Sequence, residues 1–536
     1  MIFTQFFFWG FFAVVLAFYS IIHKKRGMRN AFLFLVSLFF YYKTSGLFIA
    51  ILLFSTLSDY ITGWLIYSSK KKLHKKLFLA TSVIINLFVL CYFKYAYFFT
   101  ESFNEFFHTN YEVFNQFAQW TNENAGTHFE VNQILLPVGI SFYTFQTISY
   151  AVDVYREEIK PVKNILDFGF YVSFFPQLVA GPIVRAADFI PQLYKPYNLT
   201  QYNFGLALFW ILKGLTKKVI IGDYIAVNFI DRIFDNPMMF TGFENLMALY
   251  GYSLQVYADF SGYTDIAIGV ALLMGFTLPK NFNSPYKAKN VGEFWKRWHI
   301  SLSTWLKDYL YIPLGGNRGG TIGTWIALVF IVAFIVLLSG KMIVLYSFIW
   351  AALLLVLLAV WLKSFRAWLT TNINLLITML LGGLWHGASW QFIIWGGLNG
   401  LGIVVYKLWR KVSPYEKYDN TIALIVKVFV TFNFITFTRI WFRAENMEST
   451  WQIISQIGTN FNASLIPEIL VSYSNVFLMM LIGYVIHWLP TNIKDWYRET
   501  FIRLPLIVKI LIATITIFGV YQAMSSELQA FIYFQF

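Results

Sequence analysis

Long apolar runs recur from one end of this sequence to the other, and they restrict its fold more than any other feature. Of its 536 residues, 58% are hydrophobic and 13% are charged, whereas soluble domains contain about 25% charged residues. Lipid offers backbone groups no hydrogen-bond partners, so a chain of this kind crosses the membrane as helices. We therefore predict an all-α, polytopic integral membrane protein with about 13 transmembrane or re-entrant helices, one of them amphipathic.

Basic residues cluster in short segments between the apolar runs, at residues 23–29 and 70–76. The next loop, residues 100–133, contains five glutamates and no lysine or arginine. Because cytoplasmic loops are enriched in lysine and arginine, the basic loops are predicted to be cytoplasmic, and the acidic loop and the N-terminus to be outside. The same bias, together with anionic lipid headgroups, accounts for the net charge of +14, so nucleic acid is not expected as a partner.

The even spread of the apolar runs predicts a single membrane domain over residues 1–536. Its first part, residues 1–133, contains the N-terminal spans and the acidic loop. Residues 134–410 are expected to form the core, with an additional helical hairpin at 322–362, and residues 411–536 to form the C-terminal spans. The hairpin has almost no polar side chain inside its two runs, so we expect it at the periphery, against lipid or a partner.

One segment, residues 174–185, breaks the helical pattern with Pro176, Gly181 and Pro182. A broken backbone cannot face lipid, because its free polar groups would find no partners there. We expect this segment to be buried in protein or to line a cavity.

Familiar catalytic motifs are missing from the sequence. It has no phosphate-binding P-loop, no G-x-S-x-G nucleophile elbow and no H-E-x-x-H motif. Cys91 is the only cysteine, and no two histidines are spaced as metal ligands, so we expect neither a disulfide nor a metal site.

An amphipathic pattern lies within residues 281–320, which resemble neither a plain membrane span nor a simple loop. Three- and four-residue steps predict one helix face made of Trp295, Trp298, His299, Leu302, Trp305, Leu306 and Tyr309. The simplest interpretation is a helix lying in the headgroup layer. His299 does not fit it, because an imidazole gains nothing on the aromatic face of such a helix. Its position indicates a functional role.

A second histidine, His386, lies inside an apolar run that starts near Ile373. If a helix begins near Thr371, about 15 residues at ~1.5 Å each place His386 roughly 22 Å along it, around or past the middle of a bilayer. A titratable side chain at that depth predicts a functional site. A histidine that is hydrogen-bonded in a helix interface is the alternative.

Residues 246–276 form a long apolar run that nevertheless contains Gln255, Asp259 and Asp265. Carboxylates inside a membrane are costly unless they are paired, protonated or in contact with water. A structural network and the lining of a substrate path account for them equally well.

Six segments of the chain resemble the membrane-bound O-acyltransferase family, in its bacterial branch that acetylates polysaccharides. They lie at residues 136–146, 175–182, 257–265, 294–302, 380–390 and 531–536. By this resemblance, His386 matches the family's catalytic histidine. His299 matches its second motif position, which is histidine in this branch and often asparagine or aspartate elsewhere. One departure is the hairpin at 322–362, which the bacterial members lack.

The resemblance implies an O-acetyltransferase of the bacterial inner (cytoplasmic) membrane, surrounded by membrane lipids. Acetyl-CoA is the implied co-substrate, with no tightly bound cofactor. The implied acceptor is a hydroxyl of an exported, alginate-like polysaccharide or of an extracytoplasmic acetyltransferase partner protein. Peptidoglycan O-acetylation and D-alanyl transfer to teichoic acid are the alternatives within the family.

We assign the proton transfer to His386, with His299 as the second catalytic residue, which positions the donor together with an aromatic lining. The predicted substrate-binding residues are Trp295, Trp298, Trp385, Asp259, Gln255, Tyr286, Lys296 and Arg297. The preference for basic residues on the cytoplasmic side explains Lys296 and Arg297 equally well. The main rival is a transporter or flippase, with Asp259 and Asp265 as a proton path and His386 as a relay. A passive scaffold leaves the two histidines unexplained.

Labelling from the two sides of the membrane tests the predicted topology. A cysteine introduced at Ser69 should react from the cytoplasm and one at Asn122 from the outside, because their loops differ in basic residues. A membrane-impermeant maleimide applied to intact and to opened cells, in a Cys91→Ser background, measures this. If both positions react from the same side, the predicted orientation is wrong.

Overall fold

A computed structural model of the protein describes residues 3–126, 130–179, 181–339, 343, 346, 347, 349–351 and 363–524. All regular elements within these residues are helices, as predicted. The α-helices up to residue 273 are α1 (Phe6–Ile22), α2 (Arg26–Ser45), α3 (Ile49–Ser68), α4 (Lys72–Leu90), α5 (Ala96–Phe107), α6 (Gln116–Ala125), α7 (Ile140–Tyr155), α8 (Ile165–Ser173), α9 (Phe175–Leu178), α10 (Ala186–Leu193), α11 (Gln201–Leu215), α12 (Asp231–Asp235) and α13 (Gly242–Leu273). Those that follow are α14 (Val291–Arg297), α15 (Ile300–Leu306), α16 (Ile322–Ser339), α17 (Lys363–His386), α18 (Trp390–Val412), α19 (Thr421–Arg443), α20 (Met447–Thr459), α21 (Ile466–Ser472), α22 (Ser474–Trp488), α23 (Thr491–Arg503) and α24 (Leu506–Met524).

Several of these helices suit a membrane by length and composition. Among the described residues, six helices are long and apolar enough to cross one. A seventh span results if Ala463–Ser472 and Ser474–Trp488, bent by 88°, form one broken span. The predicted multi-pass membrane protein is confirmed, but the count of about 13 helices is not. Helix α24 has the surface expected against lipid, since Ile507 and Ile515 are 72% and 71% exposed.

The segment at residues 174–185 is broken and buried, as predicted. Its one short helix, α9, is followed by irregular backbone, and Phe174, Phe175 and Leu178 are fully buried. The surrounding protein provides partners for its backbone: the N–H of Phe175 donates to the hydroxyl of Ser37 at 3.2 Å, and the N–H of Ile183 donates to that of Ser301 at 3.0 Å. Such a segment belongs inside the protein because lipid has no acceptors to offer.

The amphipathic pattern within residues 281–320 is not one continuous helix, so that prediction is wrong. The chain forms α14 and α15, and the backbone turns between them at His299, whose φ is +43°. Both Trp298 and His299 are buried, at 1% and 0% exposure, which also contradicts a helix lying in the headgroup layer. The aromatic residues share a periodic pattern because they are buried, and burial does not require an unbroken helix.

The acidic segment at residues 100–133 is partly helical rather than a plain loop. Helix α5 extends into it to Phe107, and α6 lies within it. Its predicted position outside the membrane stays a prediction.

The hairpin predicted at residues 322–362 is described only in its first half. Helix α16 exposes Ile322, Val329 and Phe330, at 67–79%, which suits a peripheral position. Residues 343–362 lie mostly outside the described residues, as do residues 531–536 of the family resemblance.

Helices α17 and α18 approach each other closely through Gly383 and Gly396. A Cβ atom on Gly383 would lie 2.2 Å from the carbonyl oxygen of Phe392, and one on Gly396 would lie 2.3 Å from that of Met379. The chain leaves the helical path between the two helices, at residues 387–389. The two helices are therefore in close backbone contact on either side of a break in the chain.

The substitution Gly396→Ala should destabilise the protein, because neither backbone can move away without separating the two helices. Overpacking of this kind costs about 1–3 kcal/mol. The midpoint of thermal unfolding in detergent measures the loss. Gly458→Ala is the matched control, since a Cβ there meets nothing within 4 Å and alanine is the better helix former. Equal unfolding midpoints for the two variants would contradict the close contact.

Candidate active site

His386 is the last residue of α17, which begins at Lys363 and not near Thr371. The helix continues through the polar residues that precede the apolar run, so the estimated depth of His386 along it is wrong. Its side chain is 2% exposed. The position has a chemical consequence, because the last carbonyl groups of a helix have no partners within the helix.

Lys94 provides partners for these carbonyl groups. It lies in a π-helical turn, Cys91–Tyr95, between α4 and α5. Its Nζ donates to the carbonyl oxygens of Trp385 at 2.7 Å and His386 at 3.2 Å. A cation at the C-terminal end of a helix also interacts favourably with the helix dipole. Lys94 therefore fixes the helix end that presents His386.

The structure brings the two predicted histidines together although they are 87 positions apart in the sequence. The ring centroids of His299 and His386 lie 6.4 Å apart, with an angle of 68° between the ring planes. The Trp385 ring lies beside both, with centroid distances of 6.0 Å to His299 and 5.1 Å to His386. The pair is enclosed by aromatic rings and separated from bulk solvent.

Asn281 orients His299. Its Oδ1 lies 3.2 Å from Nδ1 of His299 and accepts from the N–H and the hydroxyl of Ser301, at 3.0 and 2.9 Å. Because an amide oxygen can only accept, Nδ1 of His299 is the protonated nitrogen of the neutral ring. The second ring nitrogen, Nε2, then has the lone pair.

Aromatic and cationic side chains pack behind the two histidines. Trp395 and Phe442 lie edge-on to His386, with centroid distances of 5.0 and 5.5 Å. The guanidinium of Arg439, which is 1% exposed, lies 4.4 Å from the centroid of the Trp298 ring. A cation against a tryptophan face is stabilised by the ring quadrupole, and this fixes Trp298 beside the site.

Two cavities meet at His386. The first cavity has a volume of about 250 Å³ and is lined by apolar side chains together with Lys296, Lys307 and Lys407. The second cavity, of about 100 Å³, is lined by Lys94, Ser141 and the segment 136–140. Among the described residues, His386 is the one side chain that lines both. The arrangement allows two different molecules to reach one imidazole from two directions.

Three of the predicted substrate-binding residues line these cavities. Trp295 and Lys296 line the first cavity, and Trp385 lines the second. Trp295 packs edge-on against Trp395, with centroids 5.6 Å apart.

The other predicted binding residues lie behind the cavity walls or beside them. Trp298 and Tyr286 are each 1% exposed, and the Tyr286 hydroxyl donates to the carbonyl oxygen of Ser253. Arg297 pairs with Glu293 at 2.7 Å. Gln255 is half-buried, and its Oε1 has no hydrogen-bond partner within the part of the chain that the structure describes.

The two carboxylates of α13 are paired with lysines. Asp259 lies 2.5 Å from Nζ of Lys218. Asp265 accepts from Lys217 at 2.7 Å and lies 3.3 Å from Lys213. Pairing lowers the cost of burying these charges and supports the structural-network interpretation of Asp259.

Three titratable residues were not singled out from the sequence: the half-buried Lys94 and the buried Arg439 and His487. His487 is 2% exposed and packs against the rings of Tyr257 and Tyr286, with centroid distances of 4.6 and 5.0 Å. All three lie in or beside apolar runs, and a titratable residue in such a run is the signal that pointed to His386.

Comparisons with known proteins agree with the resemblance in the sequence. A family model described as MBOAT, membrane-bound O-acyltransferase family, matches residues 119–371. The chain is 32% identical over 529 residues to the peptidoglycan O-acetyltransferase of Helicobacter pylori, and the match covers 89% of this chain and 88% of that protein. It is 37% identical over 376 residues to the probable alginate O-acetylase AlgI of Pseudomonas aeruginosa, covering 70% of this chain and 59% of that protein. It is 29% identical over 320 residues to the teichoic acid D-alanyltransferase of Bacillus subtilis, covering 58% of this chain and 69% of that protein.

Because φ is positive at residue 299, two substitutions there should give proteins of different stability. His299→Asn should unfold at a higher temperature than His299→Val, because asparagine tolerates a positive φ and a β-branched residue is strained there by about 1–3 kcal/mol. Both variants lose the imidazole, and burial by itself favours valine over asparagine, so a lower midpoint for His299→Val reports backbone strain. If the two midpoints coincide, the turn at His299 relaxes and does not constrain the residue type.

Proposed function

This chain belongs to the membrane-bound O-acyltransferase family, and from that premise we propose that it transfers an acetyl group from cytoplasmic acetyl-CoA to a hydroxyl on the other side of the bacterial inner membrane. The acceptor is a hydroxyl of an exported polysaccharide or of a partner protein that passes the acetyl group on. One observation supports this most strongly: His386 lines both cavities, so one base can contact a donor and an acceptor that arrive separately.

The charges around the cavities support different roles for them. The first cavity extends from His386 along α17 towards Leu375, and three lysines line it. Lysines attract the phosphates of a coenzyme A thioester, although the positive-inside bias accounts for them equally well. The second cavity lies beside Lys94, and the chain continues from there through α5 into the acidic segment. We assign the donor to the first cavity and the acceptor to the second.

The proposed reaction is a single acyl transfer. The acceptor hydroxyl oxygen attacks the thioester carbonyl carbon, a C–O bond forms, and the C–S bond breaks. His386 takes the hydroxyl proton during the attack and returns it to the departing thiolate. His299, held by Asn281, and Trp295 position the acetyl group and exclude water from it.

The relatives support acetylation of a cell-envelope polymer but differ in acceptor. The peptidoglycan O-acetyltransferase is matched over 88% of its length, while two probable alginate O-acetylases are more identical over a shorter stretch. We propose an exported, alginate-like polysaccharide as the acceptor, with peptidoglycan as the alternative. The transporter hypothesis has less support, because both carboxylates of its proton path are paired with lysines.

His386→Ala should lower the rate of acetyl transfer by about 10²–10⁴-fold, the contribution of a positioned general base. His299→Ala should instead raise the apparent KM for acetyl-CoA, and His299→Asn should lose less activity than His299→Ala. Transfer by purified, folded variants at several acetyl-CoA concentrations measures both effects. Mass spectrometry of exported polysaccharides from cells with each variant identifies the acceptor.

His74→Ala serves as the control, because His74 is exposed and outside the site. Near-wild-type turnover in His386→Ala would falsify the assignment of the base. Unchanged acetylation of every exported polymer in cells that lack the gene would contradict the proposed acceptor class.

A further inference from the structure

A third cavity, of about 430 Å³, lies apart from the two cavities at His386 and shares no lining residue with them. Side chains of α11, α13, α22 and α23 line it, together with residues 280–284. The proposed acyl transfer does not use this cavity.

The lining of the third cavity is rich in positive charge. Five cations face it, Lys213, Lys217, Lys280, Lys494 and Arg498, against two carboxylates, Asp265 and Asp495. Asp265 is shared by Lys213 and Lys217, and Asp495 pairs with Arg498 at 3.0 Å.

Two of these cations have no carboxylate partner among the described residues, Lys280 and Lys494. The Nζ of Lys494 donates to the hydroxyl of Ser284 at 2.9 Å and to the carbonyl oxygen of His487 at 2.6 Å. Burial, together with the nearby charges of Lys287 and Lys217, lowers the pKa of Lys494 to about 8. An anion in the cavity would relieve this repulsion.

Three buried polar atoms on the lining have no hydrogen-bond partner in the described part of the chain. They are Nδ2 of Asn281, Oγ1 of Thr264 and Nδ1 of His487, on side chains that are 1%, 1% and 2% exposed. The backbone N–H of Tyr286 donates to Nε2 of His487 at 3.2 Å, so the neutral ring has its proton on Nδ1. All three groups are therefore able to donate. Buried donors without acceptors are costly.

We propose that the third cavity binds a phosphate group. Ammonium groups and neutral donors that converge on one cavity match an anion with several acceptor oxygens. The phosphate belongs either to a soluble phosphate compound or to the headgroup of an anionic phospholipid. This site goes beyond the proposed function, since it lies outside both cavities at His386 and its binding is measured without acetyl transfer.

Ligand-dependent unfolding of the purified, delipidated full-length protein tests the site. Inorganic pyrophosphate should raise the unfolding midpoint of the wild type in a saturable way. The double variant Lys280→Gln, Lys494→Gln should bind pyrophosphate at least about tenfold more weakly. Lys411→Gln, which removes an exposed lysine elsewhere, should bind like the wild type.

Nanodiscs distinguish the source of the phosphate. Phosphatidylglycerol should stabilise the wild type over phosphatidylcholine, and the double variant should lack this difference, if the ligand is a lipid headgroup. A response to pyrophosphate alone identifies a soluble ligand, and responses to both support the site with either occupant. No response to either probe, or equal responses in wild type and double variant, overturns the proposal.

Chemical footprinting covers the case in which the double variant does not fold. An amine-reactive ester should label Lys280 and Lys494 of the wild type less when pyrophosphate or phosphatidylglycerol is present, while labelling of Lys411 stays constant. Thr264→Val, a nearly isosteric change, should weaken this protection. Unprotected lysines in the presence of both probes likewise overturn the proposal.

Discussion

The contact of α17 with α18 through Gly383 and Gly396 places one helix end inside the protein, and the candidate active site depends on it. Because the two helices approach closely, α18 runs back along α17 directly after the break at residues 387–389. The ring centroid of Trp395 therefore lies 5.0 Å from that of His386. The ammonium of Lys94 completes this arrangement, because the carbonyl groups at the helix end have no partners within the helix. Packing sets the position of the imidazole, and the half-buried Lys94 stabilises that position.

The sequence singled out two histidines that the structure buries close together, and the rule behind that prediction is energetic. A titratable side chain surrounded by apolar residues is expensive, so it indicates function wherever the chain places it. The sequence did not predict how the chain reaches His299. Periodicity reports which side chains are buried, and Trp295, Trp298 and Trp305 keep a helical spacing although the backbone turns at residue 299. The start of α17 does not follow from the apolar run either, because polar residues such as Lys363 and Arg366 precede that run and the helix nevertheless includes them.

The pairing of charged residues between helices could not be predicted from the sequence either. Asp259 and Asp265 stood out within α13, but their partners, Lys217 and Lys218, come from a π-helical turn, Thr216–Asp223, at the end of α11. A single sequence does not show which distant elements pack together, and a buried ion pair exists only once they do. The protein therefore holds its lysines in two ways: Lys218 is buried and neutralised by Asp223 and Asp259, whereas the exposed Lys280 and the half-buried Lys494 line the third cavity with no carboxylate partner among the described residues.

Asn281 connects these two regions through one planar group. Its Oδ1 contacts His299 and Ser301 on the side of the active site, while Asn281 also lines the third cavity and its Nδ2 has no hydrogen-bond partner among the described residues. Rotating the amide would exchange the oxygen for a donor and abolish all three contacts that the oxygen makes. A hydrogen-bond acceptor that binds Nδ2 from the third cavity would favour the amide orientation in which Oδ1 contacts His299. The turn at His299 places Ser301 next to Asn281. Ser301 also accepts from the N–H of Ile183 at 3.0 Å, which joins the broken segment at residues 174–185 to the same network. A substitution of Asn281 or Ser301 should therefore alter how the imidazole of His299 is held, although neither residue is proposed to contact a substrate.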